Sequence, residues 1–316
     1  MKKTLVALAV LGSFASVASA ATSVTLYGRL DVGYDSFHHD GLKLQQDAIA
    51  NQSRFGVKGE EDLGNGLAAT FKLEGRFSAD TGAYTKDMFD RESTVGLKGA
   101  FGHVRFGRAL AAMDNGIGDF SVGERVASFD TYSSAARHSN SAFYDYSNSG
   151  FSVGANVSTK GGAASNAVEG VDGTKVGYGL YAKYEADSFA VGAAYQRDGE
   201  PNVRKEWGVG ASYTFKPVTL GASYAQSKLD GSDSKTKIIN AFVSGDVTPN
   251  DTVYFQYNRN KVTDKSASNA YGLGYMHSLS KRTSVYAETA RTKRVAPGAT
   301  EASNGWDYSV AMRHKF

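Results

Sequence analysis

The residues that could do chemistry in this chain are charged and opposed. A stretch from Leu110 to Ala136 carries Asp114, Asp119, Glu124 and Asp130, spaced by Gly116, Gly118 and Gly123. Connections longer than about 12–15 residues are uncommon unless they are functional or disordered. Elsewhere Arg29, Arg54, Lys58, Lys72, Arg76 and Arg137 recur on one parity of alternating segments. Opposed rows of charge across a narrow wet gap orient polar solutes, bias ions by sign and turn away molecules that cannot match the field. The competing arrangement pairs the arginines with carboxylates of the same wall, such as Glu60, Glu74 and Glu92. Neither arrangement makes or breaks a covalent bond.

Other chemistries find less support. Gly64-Asn65-Gly66-Leu67-Ala68-Ala69 has a nucleotide-binding spacing, but it precedes a strand-like segment rather than a helix. The 6 histidines are scattered, and His38 and His39 would point apart on a strand. Serines and histidines are too dispersed for a nucleophile and its base. No metal, cofactor or catalytic residue is expected. The glycosylation-type triplets at Asn51, Asn156 and Asn250 fall in strands or turns and carry no argument.

The elements that must position the charges alternate with period two. Val24, Leu26, Leu30 and Val32 share one parity, whereas Arg29, Asp31 and Asp35 share the other. Trp306, Tyr308, Val310, Met312 and Phe316 alternate with Asp307, Ser309, Arg313 and Lys315. Such segments have one apolar face and one polar or glycine-rich face. Sixteen of them are expected, near 23–37, 50–60, 66–78, 88–99, 102–109, 137–147, 150–159, 174–185, 188–197, 204–215, 217–228, 235–246, 251–262, 268–278, 283–293 and 304–316. Most exceed the five or six residues usual in soluble sheets and match the roughly 9–11 that a tilted strand needs to cross a bilayer. Seven connections are tight and eight are longer and polar, in strict alternation. The expected fold is therefore all-β: a transmembrane antiparallel up-and-down β-barrel of about 16 strands, with short turns on one side and longer loops on the other. Phe101, Tyr144, Tyr146, Phe151, Tyr184, Phe189, Tyr213 and Phe215 cluster near the tight turns, as an interfacial girdle requires.

The chain ends fit this reading. Lys2 and Lys3, an apolar run from Leu5 to Val17, and Ala18-Ser19-Ala20 have the layout of a cleaved secretory leader, giving a leader over 1–20 and one barrel domain over 21–316. The chain has 0 cysteines, 36 glycines and only 4 prolines. Without the leader its 33 basic and 32 acidic residues nearly cancel, and no basic block argues for nucleic acid. The slightly negative mean hydropathy is compatible with a barrel because only alternate residues face lipid.

Several segments taken in order resemble the trimeric general porins of Gram-negative outer membranes, closest to their beta-proteobacterial branch. They are Val24-Thr25-Leu26-Tyr27-Gly28-Arg29, the run from Ser53 to Gly64, Val95-Gly96-Leu97-Lys98-Gly99, Phe106-Gly107-Arg108, Arg137-His138-Ser139-Asn140-Ser141 and the terminal Phe316. The resemblance implies a sixteen-stranded barrel, a homotrimer with one pore per chain, and a third external loop bent inward to narrow the channel. It puts Arg29, Arg54, Arg91 and Arg137 on the family's basic cluster, with Asp114, Asp119 and Glu124 as the nearest acids. The Pro-Glu-Phe-Gly run of enterobacterial members is missing from the loop. Arg91 shares parity with the outward Val95 and Leu97, so it requires a bulge or a strand end above the bilayer. Phe316 is similar to the terminal aromatic read by barrel-assembly machinery. The implied role is passive diffusion of ions and small hydrophilic solutes through the outer membrane. The alternatives are a channel that prefers anions or one solute, and, further off, an adhesin or an enzyme built on the same barrel.

Overall fold

The computed structural model describes residues 22–39, 48–51, 53–85, 87–160, 175–199, 203–295 and 302–316. The leader expected over 1–20 lies outside them, as do most of the segments expected as loops over 38–49 and 160–173. Seventeen strand segments follow in chain order: β1 (Ser23–His39), β2 (Ala48–Asn51), β3 (Arg54–Gly64), β4 (Leu67–Arg76), β5 (Glu92–Gly99), β6 (Gly102–Leu110), β7 (Arg137–Asn148), β8 (Phe151–Lys160), β9 (Val176–Glu185), β10 (Phe189–Arg197), β11 (Arg204–Phe215), β12 (Val218–Leu229), β13 (Lys235–Thr248), β14 (Asp251–Val262), β15 (Ser268–Ser278), β16 (Thr283–Val295) and β17 (Ala302–Lys315). One short helix, α1 (Ala112–Ile117), interrupts the stretch between β6 and β7.

β2 and β3 are two pieces of one barrel strand. β2 pairs with the Val32–Asp35 part of β1, and β3 pairs with its Ser23–Arg29 part. At the break the Ser53 hydroxyl takes the Asp31 N–H at 3.0 Å, replacing a ladder bond. The chain thus makes sixteen antiparallel strands, each bonded to its sequence neighbours. β17 returns to β1, from Arg29 opposite Lys315 to His39 opposite Gly305, and closes the barrel. Closure leaves no sheet edge for lipid to meet. Phe316 completes the seam: its N–H and C=O both bond to Gly28 at 3.0 Å, and its ring fills the space a side chain on that glycine would need.

Burial is inverted relative to a soluble protein. Val24, Leu26, Leu180 and Val310 are among the most exposed side chains, whereas Asp31, Gln196, Glu206, Gln256 and Asp307 are buried. Only a lipid exterior and a polar lumen reconcile both faces. The aromatic girdle is seen at the tight-turn end, where Phe151 stands opposite Tyr184 and Phe189 opposite Tyr213. The Tyr144 hydroxyl donates to the Phe101 carbonyl at 2.7 Å. One of the two-residue hairpins there, Ser149-Gly150, has φ of 51° and 81°, the positive pair that matches strand twist in such a turn.

Two details depart from the sequence reading. The segment expected as a strand over 88–99 begins pairing only at Glu92, so Arg91 precedes the strand and escapes its parity. The stretch from Leu110 to Ala136, read as a loop in an all-β chain, contains α1. Met113, Ile117 and Phe120 recur at helical spacing there and bury one face.

Candidate functional site

The stretch between β6 and β7, called the inner loop below, lies against the inside of the barrel. Met113, Ile117 and Phe120 pack on Ala194, Ala225 and Ile238 of β10, β12 and β13, forming a hydrophobic cluster inside the lumen. Glycines on the lumen face of the wall make room for it. A Cβ on Gly192 would meet the Gly116 carbonyl at 2.1 Å, and one on Gly210 would meet Phe120 at 2.1 Å. Because the Gly116 contact is backbone, Gly192→Ala is expected to lift α1 into the lumen. Single-channel conductance should fall, and about 1–3 kcal/mol of loop–wall contact should be lost; unchanged conductance would count against this seat.

α1 has no capping side chain of its own. The wall supplies the acceptors instead: Asn156 Oδ1 takes the Ala112 N–H at 3.2 Å and Gln196 Oε1 takes the Met113 N–H at 3.0 Å. Further along, Gln256 accepts from Val122 N–H at 2.6 Å. Glu288 accepts from the N–H groups of Glu124, Arg125 and Ala127 at 2.6, 2.8 and 3.1 Å. On the return, Glu206 accepts from Ser133 and Ser134, and Asp198 from Ala135 at 3.1 Å. Wall side chains thereby satisfy a run of backbone donors that no sheet or helix pairs.

A chain of alternating charge secures the loop's far end. Arg125 reaches Asp35 at 2.9 Å and Asp31 at 3.2 Å; Arg313 joins Asp31 and Glu124, each at 2.6 Å. The side chains of Arg125 and Asp31 are 2% and 0% exposed, so the centre of this cluster is dry, while Glu124 at its edge is 28% exposed.

The arginines gather on the wall strands that adjoin this cluster. Lys315, Arg29, Arg54 and Arg76 are register partners on four neighbouring strands, a row spanning three strand spacings of about 4.8 Å. Arg91 turns inward from ahead of β5 and pairs with Glu74. Arg137, the first residue of β7, donates through Nε to the Arg91 carbonyl at 2.8 Å. Arg29 is an electrostatic neighbour of Arg54, Arg54 of Arg91, and Arg91 of Arg137. The four arginines of the basic cluster are therefore together. Glu74 pairs with Arg91, Asp90 with Arg76, and Glu92 with Lys72 and Arg105. Among the described residues no carboxylate stands within 4.0 Å of Arg54 or Arg137.

The three acids divide. Asp114 has Arg137 and Arg91 as electrostatic neighbours and accepts a hydrogen bond from the Tyr132 hydroxyl. Glu124 bonds to Arg313 and is felt by Arg29. Asp119 points elsewhere, to Lys183 of β9 at 2.7 Å. Burial pushes the Asp114 carboxyl above its ordinary range, although the Tyr132 hydroxyl and Arg137 pull it down.

Sequence reasoning did not single out Arg125, Arg313 or Glu288 as functional. Arg313 stood on the polar parity of the last strand, as did Asp31 on the first. What was missing was the path of the loop that brings Arg125 between them.

The matches to known proteins agree with this architecture. The model of the Gram-negative porin family matches residues 7–296. Outer membrane porin protein 32 of Delftia acidovorans is 32% identical over an alignment covering all of both chains. An outer membrane porin protein of Bordetella pertussis is 28% identical with the same coverage. Among solved structures, the anion-selective porin from Comamonas acidovorans superposes with a TM-score of 0.74 at 28% identity, covering 93% of this chain and 100% of its own. A closed barrel with a lipid-facing exterior, a charged lumen and full-length similarity to these proteins makes this chain a member of the Gram-negative porin family, an outer-membrane channel rather than an enzyme.

Proposed function

We propose that the chain forms a water-filled pore narrowed by the inner loop, which passes ions and small hydrophilic solutes and favours anions. The observation that carries the preference is the row of Arg29, Arg54 and Arg76, continued by Arg91 and Arg137, in which Arg54 and Arg137 have no carboxylate partner among the described residues. Asp114 and Glu124 of the loop oppose this row, and Glu124 is already engaged by Arg313. Net positive charge at the narrowest section draws in anions and holds back cations. The anion-selective character of the Comamonas acidovorans relative agrees with this reading. The family also supports a homotrimer in outer-membrane lipid, a leader over 1–20 removed on export, and Phe316 as the residue that barrel-assembly machinery engages.

The test is the reversal potential of planar bilayers held in a salt gradient. Wild-type protein should give an anion-selective sign, and Arg54→Gln combined with Arg137→Gln should move it to or past zero. A cation-selective wild type would overturn the preference while leaving the channel assignment in place.

The pH dependence has a definite direction. Because the folded state raises the Asp114 pKa, its protonated form is favoured in the native protein. That contribution to stability is full at acid pH and is lost as pH rises through the raised value. Acidification should therefore leave the loop seated and remove a negative charge facing Arg137. Anion selectivity should increase as pH falls, and Asp114→Asn should flatten that part of the profile. A profile unaltered by the substitution would remove Asp114 from the site.

A further inference from the structure

Over β11, β13 and β14, none of which carries the arginine row, the inner loop roofs a cavity of about 580 Å³. Asp130, Tyr132, Ser133, Arg204, Thr236 and Asn260 face it, together with Asp114, whose carboxylate is engaged by the Tyr132 hydroxyl. Asp130 and Arg204 bear opposite charges with no ion-pair partner among the described residues. Among the described residues the Asp130 carboxylate makes no hydrogen bond or ion pair; its backbone carbonyl accepts from Asn258 Nδ2 at 2.9 Å. Arg204 Nη1 donates to two hydroxyls, Ser133 Oγ at 2.8 Å and Ser227 Oγ at 3.4 Å, and among the described residues no carboxylate lies within 4.0 Å of the guanidinium. The two charges share one cavity without touching each other. Protein around Asp130 raises its pKa, as expected of a carboxylate with no cation beside it.

A cavity that holds an unpaired anion and an unpaired cation at a distance is complementary to a molecule carrying both charges in the reverse order. We propose that this cavity is a subsite for small zwitterions of amino-acid to dipeptide size, with the ligand ammonium at Asp130 and its carboxylate at Arg204. The volume is within the roughly 300–1,000 Å³ of small-molecule sites. Tyr132 and Phe129 offer apolar surface to a side chain, and the Thr236 hydroxyl and Asn260 amide offer hydrogen bonds. A solute with only one charge satisfies one end and leaves the other as it was, so the site discriminates against it. Both protein charges remain in contact with water, so the complex is weak and is best detected as interruption of ion flow.

The experiment uses single channels of the intact protein at neutral pH, with solute added on the loop side. Glycine, β-alanine, 4-aminobutyrate and 6-aminohexanoate form a ruler of increasing charge separation. The members that span the gap should block current in a concentration-dependent way, about threefold or more above acetate or ethylammonium at equal concentration. Asp130→Asn and Arg204→Gln should each remove the difference between zwitterions and singly charged solutes. The exchanged pair, Asp130→Arg with Arg204→Asp, should restore it, which a merely structural role would not. Equal block by singly charged solutes, block that survives both single substitutions, or conducting exchanged channels without block would each overturn the subsite. None of these outcomes bears on the anion preference, which is read from the reversal potential without added zwitterion.

Discussion

Arg125→Ala is expected to free the far end of the inner loop while the barrel stays closed. The guanidinium is nearly fully buried and holds Asp35 through two bonds, at 2.9 and 3.1 Å, and Asp31 through a third at 3.2 Å. Its removal leaves two buried carboxylates with less positive charge between them. Breaking a buried pair from one side costs about 3–5 kcal/mol. That cost falls on the loop–wall contact, because the β1–β17 ladder from Arg29 to His39 is made by backbone groups. Single-channel recordings should change from steady openings to flicker among substates, and protease should cut the loop faster, with the melting of the barrel little altered. Arg125→Lys keeps the charge but loses the fork, and should fall between. Steady openings and an uncut loop in the alanine variant would show that Glu288 and the hydrophobic cluster hold the loop without Arg125.

The second large effect is expected at the loop's stem, where His138 is fully buried. The hydrogen bonds assign its tautomer. Asn156 Oδ1 is committed to the Ala112 N–H, so Asn156 Nδ2 faces His138 Nδ1 at 2.8 Å, and that ring nitrogen must accept. His138 Nε2 then carries the proton and donates to Asp198 at 3.2 Å. The protons of Gln196 Nε2 go to the Ala135 carbonyl at 2.7 Å and to Asp198 at 2.8 Å. Every donor in the set has a direction, and the set grips both limbs of the loop, at Ala112 and Met113 on the way in and at Ala135 on the way back. His138→Leu orphans a donor on Asn156 and an acceptor on Asp198, at roughly 1–3 kcal/mol each. Asn156→Asp is the sharper probe. It sets two acceptors face to face; moving the ring proton to Nδ1 only transfers the clash to Asp198, so an added proton on the ring or the new carboxyl is what relieves it. That variant should hold the loop at acid pH and loosen it as pH rises, by about tenfold or more in protease susceptibility. A wild-type-like pH profile in Asn156→Asp would refute the tautomer assignment.

Much of this molecule was legible before any coordinates. Strict alternation from Val24 to Asp35 and from Trp306 to Phe316 depends on local pleat geometry, so it reported strand faces and their order directly. The alternation of tight turns and long loops gave the barrel and its sidedness, and most strand ends agree to within a residue or two. The arginines at 29, 54 and 137 could be assigned to the lumen by parity. Arg91 could not, because the regular register ends at Glu92 and the Arg91 N–H bonds to the carbonyl of Glu74, the residue that Glu92 already opposes, so parity is not carried past that point.

The path of the inner loop was decided by the tertiary structure alone. Asp119 and Glu124 lie five residues apart in one loop, yet one meets Lys183 and the other Arg313. The bond from Arg313 to Asp31 joins residues 282 apart, and that from Tyr286 to Asp31 joins residues 255 apart. Contacts of this range exist only once β17 has closed on β1 and the wall has offered glycines, acids and amides in a pattern that the loop backbone fits. Period and turn chemistry are properties of neighbouring residues and can be read along the chain. A loop resting on a curved wall is a property of surfaces brought together from its whole length, and no local pattern encodes it.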